Sequence, residues 1–400
     1  MYWVESAMLR TVWETLAGVA CGLSLPLFAD LFLAVAGNGM LPLRGGIRSN
    51  DAQSWDGLLG VVIPAHNEEQ MIAATVRSVA ASAEGAVPIL VVAHNCADGT
   101  AEAARAAGAQ VLELQDDGRA GKSAALRAGF LAAGAMGCTA FAVVDADSTV
   151  SLGFVRAMQR GLAAGAQALQ CRYEQTGGVG TADRLRMLAF RGMNVVRGRG
   201  RAAWGCSSGI FGNGFVLTAA LLDKVPYTAS SIAEDAEHHA SMVAQGERVQ
   251  WVEDVRVTAP LAATRAAHDS QEARWEGGRL RVGLSVAPRL LGALLRGNLR
   301  AAEALLAALS LPFSLGVVAA LGCLALPVGW SRIYGIGCGM VSVLYLATAA
   351  QLGEQPAGEW RALLAAPAFV VRKLLLLPRI VAQAGKGAAW VRTGRERGEQ

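Results

Sequence analysis

Thr139-Ala-Phe-Ala-Val-Val-Asp145-Ala-Asp147-Ser-Thr149 decides the fold. The apolar run reads as a buried strand of a parallel sheet, and it ends in two carboxylates one residue apart. In open α/β sheets the ligand crevice lies beyond the carboxyl ends of the strands, so these acids stand where a hard cation and its phosphates would be held. Taken alone, Asp-x-Asp fits a cap of the next helix equally well.

Working outward, apolar runs alternate with helical patterns. Residues 58–63 read as a strand, with Pro64-Ala-His-Asn67 as its turn, and 68–83 as a helix. Strand 88–93 is followed by His94-Asn-Cys-Ala-Asp98-Gly-Thr100 and helix 101–107. Strand 110–114 and helix 122–133 lead to the Asp pair, and helix 152–164 and strand 166–171 follow it. This spacing predicts an α/β domain, mostly parallel, with helices on both faces of the sheet and all strand-to-helix turns on one edge.

The later half is less regular and rich in arginine. In 210–217, Gly212-Asn213-Gly214 interrupts a strand-like run, which marks a bulge or the close approach of a ligand. Ser230 to His239 reads as a helix start with Glu234 and Asp235 in its first turn. Strand 249–257 leads to Gln271-Glu272-Ala-Arg274-Trp275.

The composition points to a membrane. The 400 residues are 53% hydrophobic and 17% charged, with a mean hydropathy of +0.35. Residues 12–36 are apolar apart from Glu14 and Asp30 and read as one uncleaved membrane helix, although the two acids and Pro26 weaken the signal. Residues 305–328 and 333–352 form a candidate hairpin. Arginines interleaved with Leu and Val over 279–300 suggest an interfacial helix. A Leu-rich segment between Trp360 and Trp390, carrying Arg372, Lys373, Arg379 and Lys386, suggests another. The expected organisation is therefore 1–49 membrane helix and flank, 50–278 globular domain, 279–300 interfacial helix, 301–353 hairpin and 354–400 amphipathic tail. Basic flanks place the globular domain in the cytosol, which makes this a multi-pass protein of the cytoplasmic membrane.

Other classes are excluded or weakened. A net charge of +4 without a central basic stripe argues against a nucleic-acid partner. Seven scattered cysteines contain no Cys-x-x-Cys, so neither a zinc site nor a disulfide framework is indicated. Gly121-Lys122-Ser123 lacks the earlier glycine of a nucleotide-triphosphatase loop, since Asp116 holds that position, but Lys122 can still serve a diphosphate. His238 and His239 have no third ligand at metal-binding spacing.

In order, Val-Val-Ile-Pro64-Ala-His-Asn67-Glu68, Asn95-Cys-Ala-Asp98-Gly-Thr100, Asp145-Ala-Asp147, Gly212-Asn-Gly214, Glu234-Asp235 and Gln271-Glu-Ala-Arg274-Trp275 resemble the motifs of family 2 glycosyltransferases. The chain looks like the membrane-embedded branch that contains cellulose, chitin, hyaluronan and poly-N-acetylglucosamine synthases. That resemblance implies a GT-A fold, Rossmann-like, with transmembrane and interfacial helices. It also implies inverting transfer of a hexose from a nucleotide sugar, expected to be UDP-linked, to a growing exopolysaccharide or its lipid-linked precursor.

By the same resemblance Pro64, Glu68 and Asp98 line the uridine pocket. Asp145 and Asp147 bind the donor with a Mg²⁺ or Mn²⁺, Asp147 being the more direct ligand, and Gln271 and Arg274 grip the diphosphate with help from Lys122. Asp235 is the general base. Gly212, Asn213, Gly214, Glu234 and Trp275 face the acceptor, while membrane lipid and other exopolysaccharide-assembly proteins are implied partners. The chemistry asks for these residue types: a carboxylate to take the acceptor proton, cations for the leaving diphosphate, and a flat ring for the sugar.

The chain departs from the family pattern at Glu272, where many processive members have Gln or Arg, and at Ala233, where they have Thr. With about three candidate spans, single addition to a polyprenyl-diphosphate-linked oligosaccharide stays open beside polymer synthesis. A silent nucleotide-sugar-binding scaffold and a soluble sugar nucleotidyltransferase are the readings from other classes.

Overall fold

The computed structural model describes residues 2–40, 46–47, 55–83, 85–117, 121–262 and 264–376. Arg379 and Lys386, which the sequence reading placed in an interfacial segment, lie outside them.

A mixed sheet forms the centre. Its strands are β1 (Gly46–Ile47), β2 (Leu59–Ala65), β3 (Ile89–His94), β4 (Gln110–Leu114), β5 (Ala140–Val143), β6 (Thr149–Val150), β7 (Ala168–Thr176), β8 (Phe215–Thr218) and β9 (Gln250–Pro260). The order is β1-β9-β7-β8-β5-β2-β3-β4, with β6 against β9. Pairs β2–β3, β2–β5, β3–β4, β7–β9 and β1–β9 are parallel. Strand β8 runs antiparallel between β5 and β7, so one strand of the later half is inserted into the middle of the sheet.

Alternate residues of β2 feed opposite cores, which is why the strand reads as a continuous apolar run. Val61 and Ile63 pack with Val76 and Val79 of α2 (Ile72–Ala81) and with Phe154 and Met158 of α5 (Phe154–Ala163). Val62 packs on the other face with Leu126 and Phe130 of α4 (Gly121–Ala135). Helix α3 (Thr100–Ala106) connects β3 to β4. Pro64 lies inside β2 rather than in the turn after it, opposite Val92. Since β2 pairs with β5 only from Leu59 to Val62, Pro64 stands beyond that ladder, where the missing N–H is tolerated.

The second half builds a helical layer. Helix α6 (Thr181–Arg191) continues through a π-helical turn (Gly192–Val196) into α7 (Arg197–Ala203); α8 (Ala219–Lys224), α9 (Glu234–Ala244) and α10 (Arg265–Leu295) follow. The composition shift after Gly277 suggested a boundary, yet α10 runs unbroken from Arg265 through Trp275 to Leu295. The glycines there serve packing. A Cβ on Gly278 would stand 2.3 Å from Cγ2 of Ile232, so the missing side chain lets α10 lie against the segment that leads into α9. Val282, Val286 and Leu290 of α10 are buried against α9. Arg281, Arg289, Arg296 and Arg300 are exposed beside the exposed Leu284, Leu291, Leu295 and Leu299.

Among the described residues two helices are long and apolar enough to cross a membrane, Met8–Gly39 within α1 (Tyr2–Met40) and α13 (Gly329–Gln351). The run at 305–328, read as one arm of the hairpin, falls in a pair of helices, α11 (Arg300–Leu309) and α12 (Phe313–Ala325), bent by 82°. Pro312 stands at the break, where it cannot donate a helical hydrogen bond. Exposed Leu16, Val19, Leu23, Ile336, Met340 and Val343 cover the outer faces of α1 and α13.

Asp30, which weakened the first span as a sequence signal, is buried and neutralised. Arg201 donates to it at 2.9 Å and Arg197 approaches at 3.3 Å, while Arg201 also pairs with Glu303. A Cβ on Gly200 would lie 2.3 Å from the carbonyl oxygen of Ala34, so α7 crosses α1 at backbone contact. The N-terminal helix is thereby docked onto the globular domain.

Helices α14 (Pro356–Ala362) and α15 (Ala366–Leu375) close the described chain. Arg372 and Lys373, expected to face lipid, are engaged by α10: Arg372 pairs with Asp269 and Glu272, and Lys373 with Glu272 and Glu276. Glu272 thus clamps α15. Burial alone would raise its pKa, but Lys373 and Arg372 hold it below the ordinary carboxylate range.

Candidate active site

The strand-to-helix edge carries two groups of site residues. At the first turns, Asn67 and Asn95 adopt left-handed backbone with φ of 56° and 51°, as short amides tolerate. Asn67 Oδ1 accepts from the Ala97 amide at 2.7 Å. The Asp98 carboxylate accepts from the Glu69 amide at 3.2 Å, the Thr100 amide at 3.1 Å and the Thr100 hydroxyl. The Glu68 amide donates to the Thr100 hydroxyl oxygen at 2.8 Å. Asp98 therefore ties these two turns together.

The second group gathers around Gly212-Asn213-Gly214. Lys122 Nζ, at the start of α4, pairs with Asp145 and donates to the Gly212 carbonyl at 2.7 Å. Asn213 is fully buried. Its Oδ1 accepts from the Asp145 amide at 3.1 Å and its Nδ2 donates to Ser148 Oγ at 2.8 Å, which in turn donates to Asp147 at 3.1 Å. Gln170 of β7 donates to the Asn213 carbonyl at 2.8 Å.

Gly212 and Gly214 have φ of 75° and 68°, left-handed values that an L side chain resists. A Cβ at Gly212 would lie 3.4 Å from Asp235 Oδ2 and 3.9 Å from Lys122 Nζ. The strand begins only at Phe215, so the glycines form the turn before it and carry the backbone past the acids. The glycines expected inside a strand thus lie in the turn ahead of it, close to Asp235 and Lys122.

Asp235 stands in the first turn of α9, its Oδ1 accepting from the Ala236 amide at 2.8 Å. Burial raises its pKa, opposed by the charge of Arg279 and then of Lys122. Glu234 is raised to about 8 by burial, opposed by Lys122 and reinforced by Asp235. Asp145 is raised by burial, with Lys122 opposing and Asp147 reinforcing. Lys122 itself is kept charged: burial would lower it, but Asp145 and Glu234 prevail. The buried Glu234 and the half-buried Asp145 and Asp235 around one ammonium form a set of coupled proton sites.

Trp275 lies on α10, against Phe190 with ring centroids 5.9 Å apart, and Phe190 is edge-on to Tyr173 at 4.8 Å. Asp145, Asp147 and Asp235 all act on the Tyr173 hydroxyl, so this row of rings runs from the acid cluster to α10. Gln271 and Arg274 are half-buried on the same helix. His238 and His239 are buried, and burial lowers them to about 4 and about 3, so both are neutral; His239 Nε2 meets Ser207 Oγ at 2.7 Å.

Sequence reading missed Arg279 as a site residue. It was assigned to an interfacial helix, but it follows Trp275 by four residues on one continuous helix and acts on Asp235. That spacing was the available signal. Asn213 was foreseen only as part of an acceptor loop, whereas it also buttresses the backbone of Asp145 and the side chain of Ser148.

Asp145 and Asp147 are hard oxygen donors suited to Mg²⁺ or Mn²⁺. Among the described residues no group of three or more His, Cys, Asp or Glu could hold an ion. The pair therefore fits a cation that completes its shell with phosphate and water, as Mg²⁺ does, rather than a closed protein cage.

The family model described as "Glycosyltransferase like family 2" matches residues 57–278. No curated protein sequence matches the chain. Among solved structures, the mannosyltransferase PcManGT from Pyrobaculum calidifontis, in complex with GDP-Man and Mn²⁺, is similar at 17% identity and a TM-score of 0.54, over 94% of this chain and 97% of that one. Glucosyl-3-phosphoglycerate synthase from Mycobacterium tuberculosis, in complex with Mn²⁺, UDP and phosphoglyceric acid, overlaps 50% of this chain and 69% of that one at 21% identity and a TM-score of 0.35. The first likeness shows a shared GT-A-like fold.

Proposed function

The chain belongs to the glycosyltransferase-like family 2, and from that premise we propose that it is a membrane-anchored, inverting hexosyltransferase. It takes a nucleotide sugar, UDP-linked in the first instance, and glycosylates a growing exopolysaccharide or its lipid-linked precursor on the cytosolic face of the membrane, as in the membrane-embedded branch. The observation that carries this reading is the meeting of Lys122, Asp145, Asp235 and the Gly212 turn beside Asp147 at the ligand-binding edge of the sheet.

In this reading Pro64, Glu68 and Asp98 border the nucleotide. Asp145 and Asp147 would hold Mg²⁺ or Mn²⁺, which when bound offsets charge on the donor diphosphate. Asp235 receives the proton of the acceptor hydroxyl as that oxygen bonds to the anomeric carbon, and the pair of electrons in the broken carbon–oxygen bond leaves with the nucleoside diphosphate. Lys122, Gln271 and Arg274 face that leaving group. Trp275 offers its ring to the acceptor sugar, with Glu234 and the Gly212–Gly214 turn beside it. The exposed apolar faces of α1 and α13 and the Arg- and Leu-bearing face of α10 support anchoring in and along a bilayer.

The test is release of nucleoside diphosphate by purified protein in detergent with Mn²⁺, across UDP- and GDP-sugars; GDP-mannose belongs in the panel because PcManGT holds it. Turnover of at least one donor, lost in Asp147→Ala, supports the reading. Turnover of none overturns it. A ladder of products would identify polymer synthesis, and a single product would identify one-step addition.

A further inference from the structure

A cavity of about 220 Å³ lies between the transferase domain and the apolar helices. One wall is the site helix α10, through Trp275 and Arg279. The opposite wall comes from helices apolar enough to lie in a bilayer, through Phe313, Tyr345 and Leu346, and α15 closes the side with Phe369. The break between α11 and α12 opens onto it at Ser310, Leu311 and Pro312.

Its charges are mostly cancelled locally. Arg186 pairs with Asp183, Arg197 with Asp30, and Lys373 with Glu272 and Glu276. Among the described basic residues lining the cavity, Arg279 has no hydrogen bond or ion pair, although it feels Asp235 and Glu276 through space. Five buried polar atoms of the described lining have no hydrogen-bond partner: Ser314 Oγ, His268 Nδ1, Glu276 Oε2 and the Nε atoms of Arg186 and Arg197. A mostly apolar chamber with one guanidinium that makes no direct ion pair, at the end where it feels the base, matches an amphiphile with an anionic head.

We propose that this cavity seats the acceptor's lipid: an isoprenoid or acyl chain enters among Phe313, Tyr345, Leu346 and Phe369, and its phosphate is held by Arg279, presenting the linked sugar over Trp275 toward Asp235. This rests on the transferase reading and selects the lipid-linked acceptor within it. Arg279 is then the specificity-determining residue for an anionic carrier, and a further phosphate-recognising cation of the site beside Lys122 and Arg274.

The probe is a polyprenyl monophosphate carrying a diazirine in its chain, photolysed with the full chain in detergent micelles. Label is expected in peptides of α12, α13 and α15 that line the cavity. Unlabelled polyprenyl phosphate should compete at least about tenfold better than the neutral polyprenol or inorganic phosphate, a difference of about 1.4 kcal/mol. Arg279→Gln should lose that preference and Arg279→Lys should retain most of it, with melting midpoints confirming that both variants fold. Label confined to the outer faces of α1 and α13, or equal competition by polyprenol against wild type, overturns the proposal. Nucleoside diphosphate release in the same wild-type preparation tests the transferase reading separately, so an active enzyme with an unlabelled cavity contradicts only the lipid seat.

Discussion

Lys122 Nζ donates to the carbonyl oxygen of Gly212 at 2.7 Å while pairing with Asp145. One ammonium thereby latches the start of α4 to the turn before β8 and sets the charge of the first carboxylate. Lys122→Gln is expected to lower donor turnover about 100-fold, as removal of one electrostatic contact to a leaving group does. Lys122→Arg should recover only part, because a planar guanidinium cannot replace the compact ammonium at both oxygens. The ratio kcat/KM for nucleoside diphosphate release measures both.

Asp235 is raised by burial and held back chiefly by Arg279. As the base it must be ionised, so transfer should increase with pH through a midpoint above the ordinary carboxylate range. Removing the Arg279 charge removes a lowering influence, so the Arg279→Gln midpoint should move to higher pH. A pH–rate profile on saturating donor reads the shift; a midpoint that moves down would exclude this influence of Arg279 on Asp235.

Glu234 is raised from 4.5 to about 8. Between those values the native protein retains a proton that the unfolded chain has lost, so this group costs stability increasingly as pH rises toward 8. Glu234→Gln, which cannot ionise, should melt above wild type at pH 8 and close to it at pH 4.5. Thermal melts at the two pH values check the sign.

Asp30 joins α1 to α7 through Arg201 and Arg197. Asp30→Ala leaves two buried guanidiniums short of a partner and is expected to cost about 3 kcal/mol. Gly200→Val should be similarly damaging, since its side chain would meet the α1 backbone. Detergent-solubilised yield and melting midpoint report both variants, and nucleoside diphosphate release shows whether the detached helix matters to the site.

The parts of this structure legible in the sequence are those that local pattern determines. Apolar runs of β2, β3 and β5 announce strands buried on both faces, and Asp145-Ala-Asp147 marks their ligand-binding edge. Other features depend on contacts between distant residues. Nothing in Phe215–Thr218 tells that it inserts antiparallel between β5 and β7. Asp30 looked like a flaw in a span because Arg201 lies 171 residues away. The sequence suggested a boundary after residue 278 because the side chain of Ile232, which fills the space beside Gly278, comes from another segment. Glu272 looked like a loss from a motif, and its partners Arg372 and Lys373 stand about a hundred residues later.

The most direct measurement of the central claim is transfer by Asp235→Asn with a labelled donor and acceptor, read beside donor binding in the presence of Mn²⁺. The expected result is transfer reduced at least about 1,000-fold with donor affinity within about twofold of wild type. Full transfer by Asp235→Asn would remove Asp235 as the base and contradict this account of the site.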